Sequence, residues 1–325
     1  MHAPWLREVL VAGTRNRKST VSLPLPATVI SEEQIKRSAT LRLSDLLQDQ
    51  SGLILQQGFG TGIQIQGLGP EYNLILLDGE PLIGRSAGTL ELQRLGLNQV
   101  KRVEIVKGPQ SALFGRATFG GAVSMITTTP GDEFKGRVNV TAATHGDYRL
   151  GGSIEGPLAE GLLSGRLIFD GSQFDGFYKN ALGGRLGETE SQYIAATLNF
   201  TPTEDLSIRL RHSDRRDEDG VAATPLIARY TEHNCGPFPG FLTRSLAGLP
   251  AGFTVEQSRK AYCGELKAPS GPIAINNVLP VASLGKTKLD DHHLELDQTL
   301  TAGTLEWSFM NGHTLTAIAS QQEHG

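Results

Sequence analysis

The sequence predicts a small mixed α+β domain followed by antiparallel transmembrane β-barrel strands, too few of them to close a barrel. Three observations carry that prediction. Helical stripes and short strands mix up to about Pro130; strict alternation of apolar with small or polar residues takes over from there; and the connections between alternating segments are short and long in turn. A period of two with unlike faces is what a strand shows when its two sides see different solvents. Short turns at one end and long loops at the other are the pattern of an outer-membrane barrel.

The first domain opens on Val9 to Val11, which reads as a strand. Ser31 with Gln34 three residues later forms a capping box that opens a short helix through Ile35 and Arg37. Leu43, Leu46 and Leu47 give the i, i+3, i+4 stripe of a second helix, with Gly52 expected as its C-terminal cap. Ile63 to Gln66, Leu74 to Leu77 and Val103 to Val106 read as strands, and Asp78-Gly79 as a tight turn with a structural role, Pro81 restricting the backbone just after it. Within VKRVEIVKGPQSALFGRATFGGAVSMIT, Val100 to Thr127, Gly108-Pro109 sets a turn and Gly115 bends the chain. Gly120-Gly121 let two stretches of backbone approach closely.

Seven barrel strands are expected, at 136–144, 149–156, 162–174, 190–200, 206–213, 294–309 and 313–321. Short turns fall at Pro157 to Gly161, Pro202 to Asp205 and Asn311-Gly312, the last with the residues of a type I′ hairpin. Long polar connections fall at about 175–190 and 214–288. A soluble β-sandwich is the alternative, but a connection as long as the second is foreign to one. A barrel in lipid must close, because an open edge leaves backbone groups unpaired. The chain is therefore expected to be a fragment of a longer protein.

Other classes are disfavoured by what the sequence holds. Residues 1 to 130 carry 13 Lys+Arg and 10 Asp+Glu, a balance of +3; the remainder carries 17 and 24, a balance of −7, and the two sum to the net −4. Neither part concentrates basic residues into the stripe a nucleic-acid surface needs, so no nucleic-acid partner is expected. No apolar run approaches the roughly 18 residues of a membrane helix. The opening MHAPWLREVLVAG lacks the basic and apolar regions of a secretory signal, so no signal peptide is expected in this sequence: either the protein is cytoplasmic, or a signal has been removed or missed. Cys235 and Cys263 suit one disulfide in an oxidising compartment, two free thiols being the alternative.

Catalytic and metal-binding patterns are also wanting. Gly58 to Gly62 suggests a dinucleotide loop, but the alternating Ile63-Gln64-Ile65-Gln66 comes next, where a helix is required. His292 and His293 would face opposite sides of a strand, and His233 beside Cys235 competes with the disulfide. No catalytic residue, no metal site and no cofactor is expected, and the chain is not expected to be an enzyme.

The ordered set EVLVAG (Glu8 to Gly13), LSDLLQDQSGL (Leu43 to Leu53), IQIQGLG (Ile63 to Gly69), LILLDGEPL (Leu74 to Leu82) and the Val100 to Thr127 stretch resembles the plug domain of TonB-dependent outer-membrane receptors. The resemblance implies a TonB-box-like segment over 1–14, a plug domain over 15–130, and over 131–325 the first part of a barrel of which about a third of the family's usual 22 strands is present. It implies a gated importer of the outer membrane, most often for ferric siderophores, less often for cobalamin, haem or oligosaccharides. In the family, TonB of the inner membrane grips the box and pulls, with outer-membrane lipid surrounding the barrel.

Residues carry over by position. Glu8, Val9, Leu10, Val11, Ala12 and Gly13 are the expected TonB contacts, suited to adding a strand to a partner's sheet edge; an ordinary first strand of the plug is the alternative. Gln56, Gln57, Phe59, Arg85 and Ser86 fall on the loops expected to reach the plug apex, where they offer amides, a stacking face, a cation and a hydroxyl to substrate. Lys107 and Arg116 are the expected plug contacts to acidic residues of the barrel wall. Gln66, Phe119 and Ser124 depart from the family pattern, which puts the details of docking in question. The rival reading is a module that does not transport, a plug that binds a ligand or signals.

Overall fold

The computed structural model describes residues 9–10, 18–19, 26–38, 40, 42–58, 60–82, 92–97, 100–110, 118–180, 184–220, 293–309 and 312–324. Two short strands, β1 (Val9–Leu10) and β2 (Lys18–Ser19), pair antiparallel. The N-terminal domain proper begins with β3 (Ala27–Ser31), which runs directly into α1 (Glu32–Ser38). The expected capping box forms there: Ser31 N–H donates to Gln34 Oε1 at 2.7 Å and Gln34 N–H to Ser31 Oγ at 3.4 Å.

The second helix, α2 (Leu43–Gln48), buries Leu43, Leu46 and Leu47 as its spacing predicts. It stops earlier than expected. Asp49 is its C-cap, because the apolar stripe ends at Leu47 and nothing beyond it has a face to bury. Gly52, at φ +76°, instead turns the chain into β4 (Leu53–Gly58), which forms a hairpin with β5 (Gly60–Ile65). Gln66 lies beyond β5, at φ +53°, with its N–H donating to the Gly52 carbonyl at 3.0 Å.

The remaining strands of the domain are β6 (Asn73–Leu77), β7 (Glu80–Pro81), β8 (Val100–Lys107) and β9 (Gly121–Thr127). They join β3 in a mixed sheet of order β3-β8-β9-β6-β7, in which only β6 and β9 run parallel. Leu43, Leu47, Ile65, Val103, Ile105 and Val123 meet in one core between the sheet, the β4–β5 hairpin and the helices. Gly120 and Gly121 do permit close approach, but inside this domain: an added Cβ at Gly121 would overlap the Val106 carbonyl oxygen, and one at Gly120 would overlap Asn73 Oδ1.

Seven longer strands form a second sheet: β10 (Lys135–Ala142), β11 (Tyr148–Ala159), β12 (Leu163–Phe174), β15 (Thr189–Thr203), β16 (Leu206–Gly220), β17 (His293–Phe309) and β18 (His313–His324). A small hairpin, β13 (Tyr178–Lys179) with β14 (Arg185–Leu186), sits in the β12–β15 connection. The order β10-β11-β12-β15-β16-β17-β18 is antiparallel throughout, and among the described residues the sheet does not close on itself. All seven expected strands are present. Boundaries differ: Pro157 and Pro202, expected to open turns, lie within β11 and β15 beside register shifts, and β16 runs seven residues past Ser213, through residues whose charges had suggested a loop.

The pairing register sorts the side chains by face. One face carries Val138, Leu150, Ile154, Leu167, Ile194, Leu198, Leu210 and Trp307, all exposed although large and apolar. The other carries Arg166, Tyr193, Thr197, Arg209, Arg211, Arg215, Asp217 and Asp219, against which the N-terminal domain is seated. A polar inner face and an apolar outer band make a barrel wall. Among the described residues no helix is long and apolar enough to cross a membrane.

Candidate functional site

The seam between the N-terminal domain and the inner face of the wall carries the densest polar chemistry among the described residues. It has three parts. The first holds the chain as it leaves the domain: Arg166 Nη1 donates to the Thr128 carbonyl at 2.6 Å, Ser164 Oγ to the Pro130 carbonyl at 2.9 Å, and Arg209 Nη1 reaches Thr129 Oγ1 at 3.4 Å. Arg166 is oriented for this by an ion pair with Glu155 on the neighbouring strand.

The second part centres on Asp78. The β6–β7 turn puts Asp78 at φ +52° and Gly79 at +91°, a geometry that aspartate tolerates and glycine favours. That turn aims the Asp78 carboxylate at three donors: Thr127 N–H at 2.8 Å, Thr127 Oγ1 at 2.7 Å and Arg211 Nη1 at 3.2 Å. Arg211 also donates through Nη2 to the Tyr193 hydroxyl at 2.6 Å. With side-chain exposures of 7% for Arg211 and 11% for Asp78, this pair is shielded from the solvent that makes surface pairs weak. Asp78, expected to be a turn residue alone, is thus the domain's main ionic contact to the middle of β16. Nearby, Ser320 Oγ of β18 donates to Glu80.

The third part reverses the polarity. Arg94 of the N-terminal domain pairs with Asp217 at 2.9 Å and also with Asp219, both on β16. Asp217 is 1% exposed and accepts in addition from Ser191 Oγ at 2.6 Å. Arg215 donates to the Arg94 carbonyl at 3.2 Å and stacks on Tyr193 with its guanidinium carbon 5.0 Å from the ring centre. Strand β16 therefore meets the domain twice, as a cation facing a carboxylate and as carboxylates facing a cation.

Several residues singled out from sequence fall within the described structure. Gln56 is exposed on β4 and accepts from Gln64 Nε2 at 3.1 Å; Gln57 is on the same strand, paired with Thr61. Val9 and Leu10 form β1, with Val9 opposite Ser19. Lys107 donates to the Ser51 carbonyl at 2.6 Å, a contact within the N-terminal domain. It is the last residue of β8, an interior strand of the sheet. Glu8, Val11, Ala12, Gly13, Phe59, Arg85, Ser86, Arg116, Cys235 and Cys263 lie outside the described residues.

Asp78, Arg94, Arg211, Arg215, Asp217 and Asp219 were missed. A signal existed for four of them: read at period two, SDRRDEDG continues the preceding strand and puts Arg209, Arg211, Arg215, Asp217 and Asp219 on one face. Charges on a single face of a barrel strand mark the interior.

Comparison with known proteins agrees with this architecture. Residues 19–122 match the family model described as the TonB-dependent receptor plug domain. A ferric enterobactin receptor of Pseudomonas aeruginosa is 28% identical over 169 residues, 45% of this chain and 23% of that protein. The vitamin B12 transporter BtuB of Photobacterium profundum is 24% identical over 155 residues, 47% of this chain and 26% of that protein. The matched region thus takes in about a quarter of these relatives' length. Among solved structures, the ferripyoverdine receptor of the P. aeruginosa outer membrane, bound to ferripyoverdine, superposes on 97% of this chain and 36% of its own, with a TM-score of 0.69 at 16% identity. The ferric yersiniabactin uptake receptor FyuA of Yersinia pestis covers 92% of this chain and 41% of its own at a TM-score of 0.62 and 17% identity.

Proposed function

The chain carries a TonB-dependent receptor plug followed by the first strands of the receptor's barrel, and from that premise we propose that the whole receptor imports a scarce nutrient across the outer membrane, most directly a ferric siderophore. The observation that carries the proposal is the seating of the plug on the wall. A plug that merely accompanied the barrel would need no matched contacts, whereas Asp78–Arg211 and Arg94–Asp217 fix it in one orientation on the polar inner face. Such contacts close the lumen while the receptor rests and must be broken for cargo to pass. The work has to come from outside the chain, which is the part assigned to TonB acting through Glu8, Val9, Leu10, Val11, Ala12 and Gly13. The names of the relatives, receptors for ferric enterobactin among them, support iron chelates as the first substrates to try.

On this reading Gln56, Gln57, Phe59, Arg85 and Ser86 contact the cargo at the plug apex, and an arginine there favours an anionic chelate. The test is growth of a strain lacking the gene on a panel of ferric chelates, cobalamin, haem and oligosaccharides. The expected result is loss of growth on one ferric chelate, restored by the full-length gene but not by a version without Glu8 to Gly13. Undiminished growth on every iron source, with expression induced by a sugar instead, would overturn it.

A further inference from the structure

Three arginines of the inner wall lie on one strand, and each is covered by a group that belongs to the plug or to the segment leaving it. Arg209 faces Thr129 Oγ1 at 3.4 Å, Arg211 the Asp78 carboxylate at 3.2 Å, and Arg215 the Arg94 carbonyl at 3.2 Å. Tyr193 links the upper two, its hydroxyl accepting from Arg211 at 2.6 Å and its ring lying 5.0 Å from the Arg215 guanidinium carbon. At about 3.3 Å per residue, Arg209 and Arg211 stand roughly 7 Å apart along β16, and Arg211 and Arg215 roughly 13 Å apart. The spacing suits successive contacts by one moving anion.

The middle rung is incompletely satisfied with the plug in place. Arg211 Nε is buried and has no hydrogen-bond partner among the described residues, and the cavity beside it is lined by Asp78, Glu80, Arg209 and Thr304 together with the apolar Leu77, Leu300 and Ala302. That cavity, of about 20 Å³, has room for roughly one water.

We propose that Arg209, Arg211 and Arg215 form a translocation track for an anionic substrate, its rungs uncovered only when the plug moves. In this scheme the Asp78 carboxylate occupies in the resting state the place that a carboxylate, catecholate or phosphate oxygen of the cargo takes in transit. Guanidinium groups suit that exchange because they bind such oxygens through paired donors and keep their charge when desolvated. While seated, Arg94 also neutralises Asp217 and Asp219 at the loop side of the track. The inference rests on the importer reading and adds to it the wall residues that conduct the cargo.

The test uses the full-length receptor with R209Q/R215Q, which leaves the Asp78–Arg211 pair intact, beside the conservative R209K/R215K. Radioiron uptake is measured with two probes, a trianionic ferric tricatecholate and an uncharged ferric trihydroxamate, together with surface binding in de-energised cells. Loss of charge-assisted contacts in transit is expected to slow tricatecholate uptake about tenfold more than trihydroxamate uptake, with surface binding unchanged and most of the rate kept by the lysine variant. Equal rates in wild type and R209Q/R215Q, or equal losses for both probes, overturn the track. A second measurement needs no cargo: the reversal potential of the full-length receptor in a planar bilayer under a KCl gradient, its plug opened by urea. Anion selectivity that falls in R209Q/R215Q supports the track even if neither chelate is carried, in which case the importer reading for these chelates is what fails; unchanged selectivity overturns the track.

Discussion

Replacing Asp78 by Asn removes one charge and little else. Asparagine tolerates the positive φ of +52° that Asp78 adopts, so the turn is kept, and its carbonyl oxygen can still accept from the Thr127 N–H now 2.8 Å away. What is lost is the counter-charge of Arg211, whose side chain is 7% exposed and would retain only the Tyr193 hydroxyl. Stripping one partner from a buried ion pair costs about 3–5 kcal/mol, because the other charge stays desolvated. Since the hydrogen bonds to Thr127 survive in part, the lower figure applies. A loss of about 3 kcal/mol corresponds to roughly a hundredfold change in an opening equilibrium. Arg211→Gln is the informative contrast. It leaves Asp78 with both Thr127 donors and so costs less, about 1–2 kcal/mol. Hydrogen exchange of the full-length receptor in detergent micelles reads both, through the Thr127 amide and the Asp78 amide that donates to the Met125 carbonyl at 2.8 Å. Protection within threefold of wild type in Asp78→Asn, or a larger loss in Arg211→Gln, would falsify the assignment of Asp78 as the buried counter-ion.

The same geometry sets the outcome of other substitutions. Arg94→Gln leaves Asp217, 1% exposed, without its cation and should lower the unfolding free energy of the plug by about 3 kcal/mol or more; Asp219→Asn, at a site that is 17% exposed, should cost less in the same denaturant titration. Gly121→Ala drives a Cβ into the Val106 carbonyl, so the plug should become protease-sensitive in the intact receptor, whereas Gly67→Ala, at φ +83° with open space around it, should cost only about 1–2 kcal/mol of backbone strain. Leu198→Arg puts a charge on the apolar face of β15 and should destabilise the wall by about 2–4 kcal/mol if that face meets the bilayer midplane. Its neighbour Thr197 faces inward, and Thr197→Ser should leave heat-resistance of the folded band on gel electrophoresis unchanged.

The parts of this protein legible in its sequence were those fixed by local rules. Ser31 and Gln34 close a capping box because three residues of helix bring them together, whatever the rest of the chain does. Seven wall strands could be read because a surface between two solvents writes alternation into every strand. Four of the five ordered motifs overlap residues 19–122, which match the plug-domain family model. Where local rules conflicted, boundaries slipped. The end of β16 is charged at almost every position and reads as solvent-exposed loop until its two faces are separated: Arg216 then pairs outward with Glu295, and Asp217 inward with Arg94.

The seam was decided by tertiary structure alone. Asp78 meets Arg211 across 133 positions of sequence, a separation over which no periodicity or spacing carries information. Lys107 likewise reaches the Ser51 carbonyl across 56 positions of sequence. Alternation determines which face of a strand a charge occupies. Which charge of another domain stands opposite depends on how that domain is seated, and that is set by the shapes of a core and a wall that pack only once both have formed.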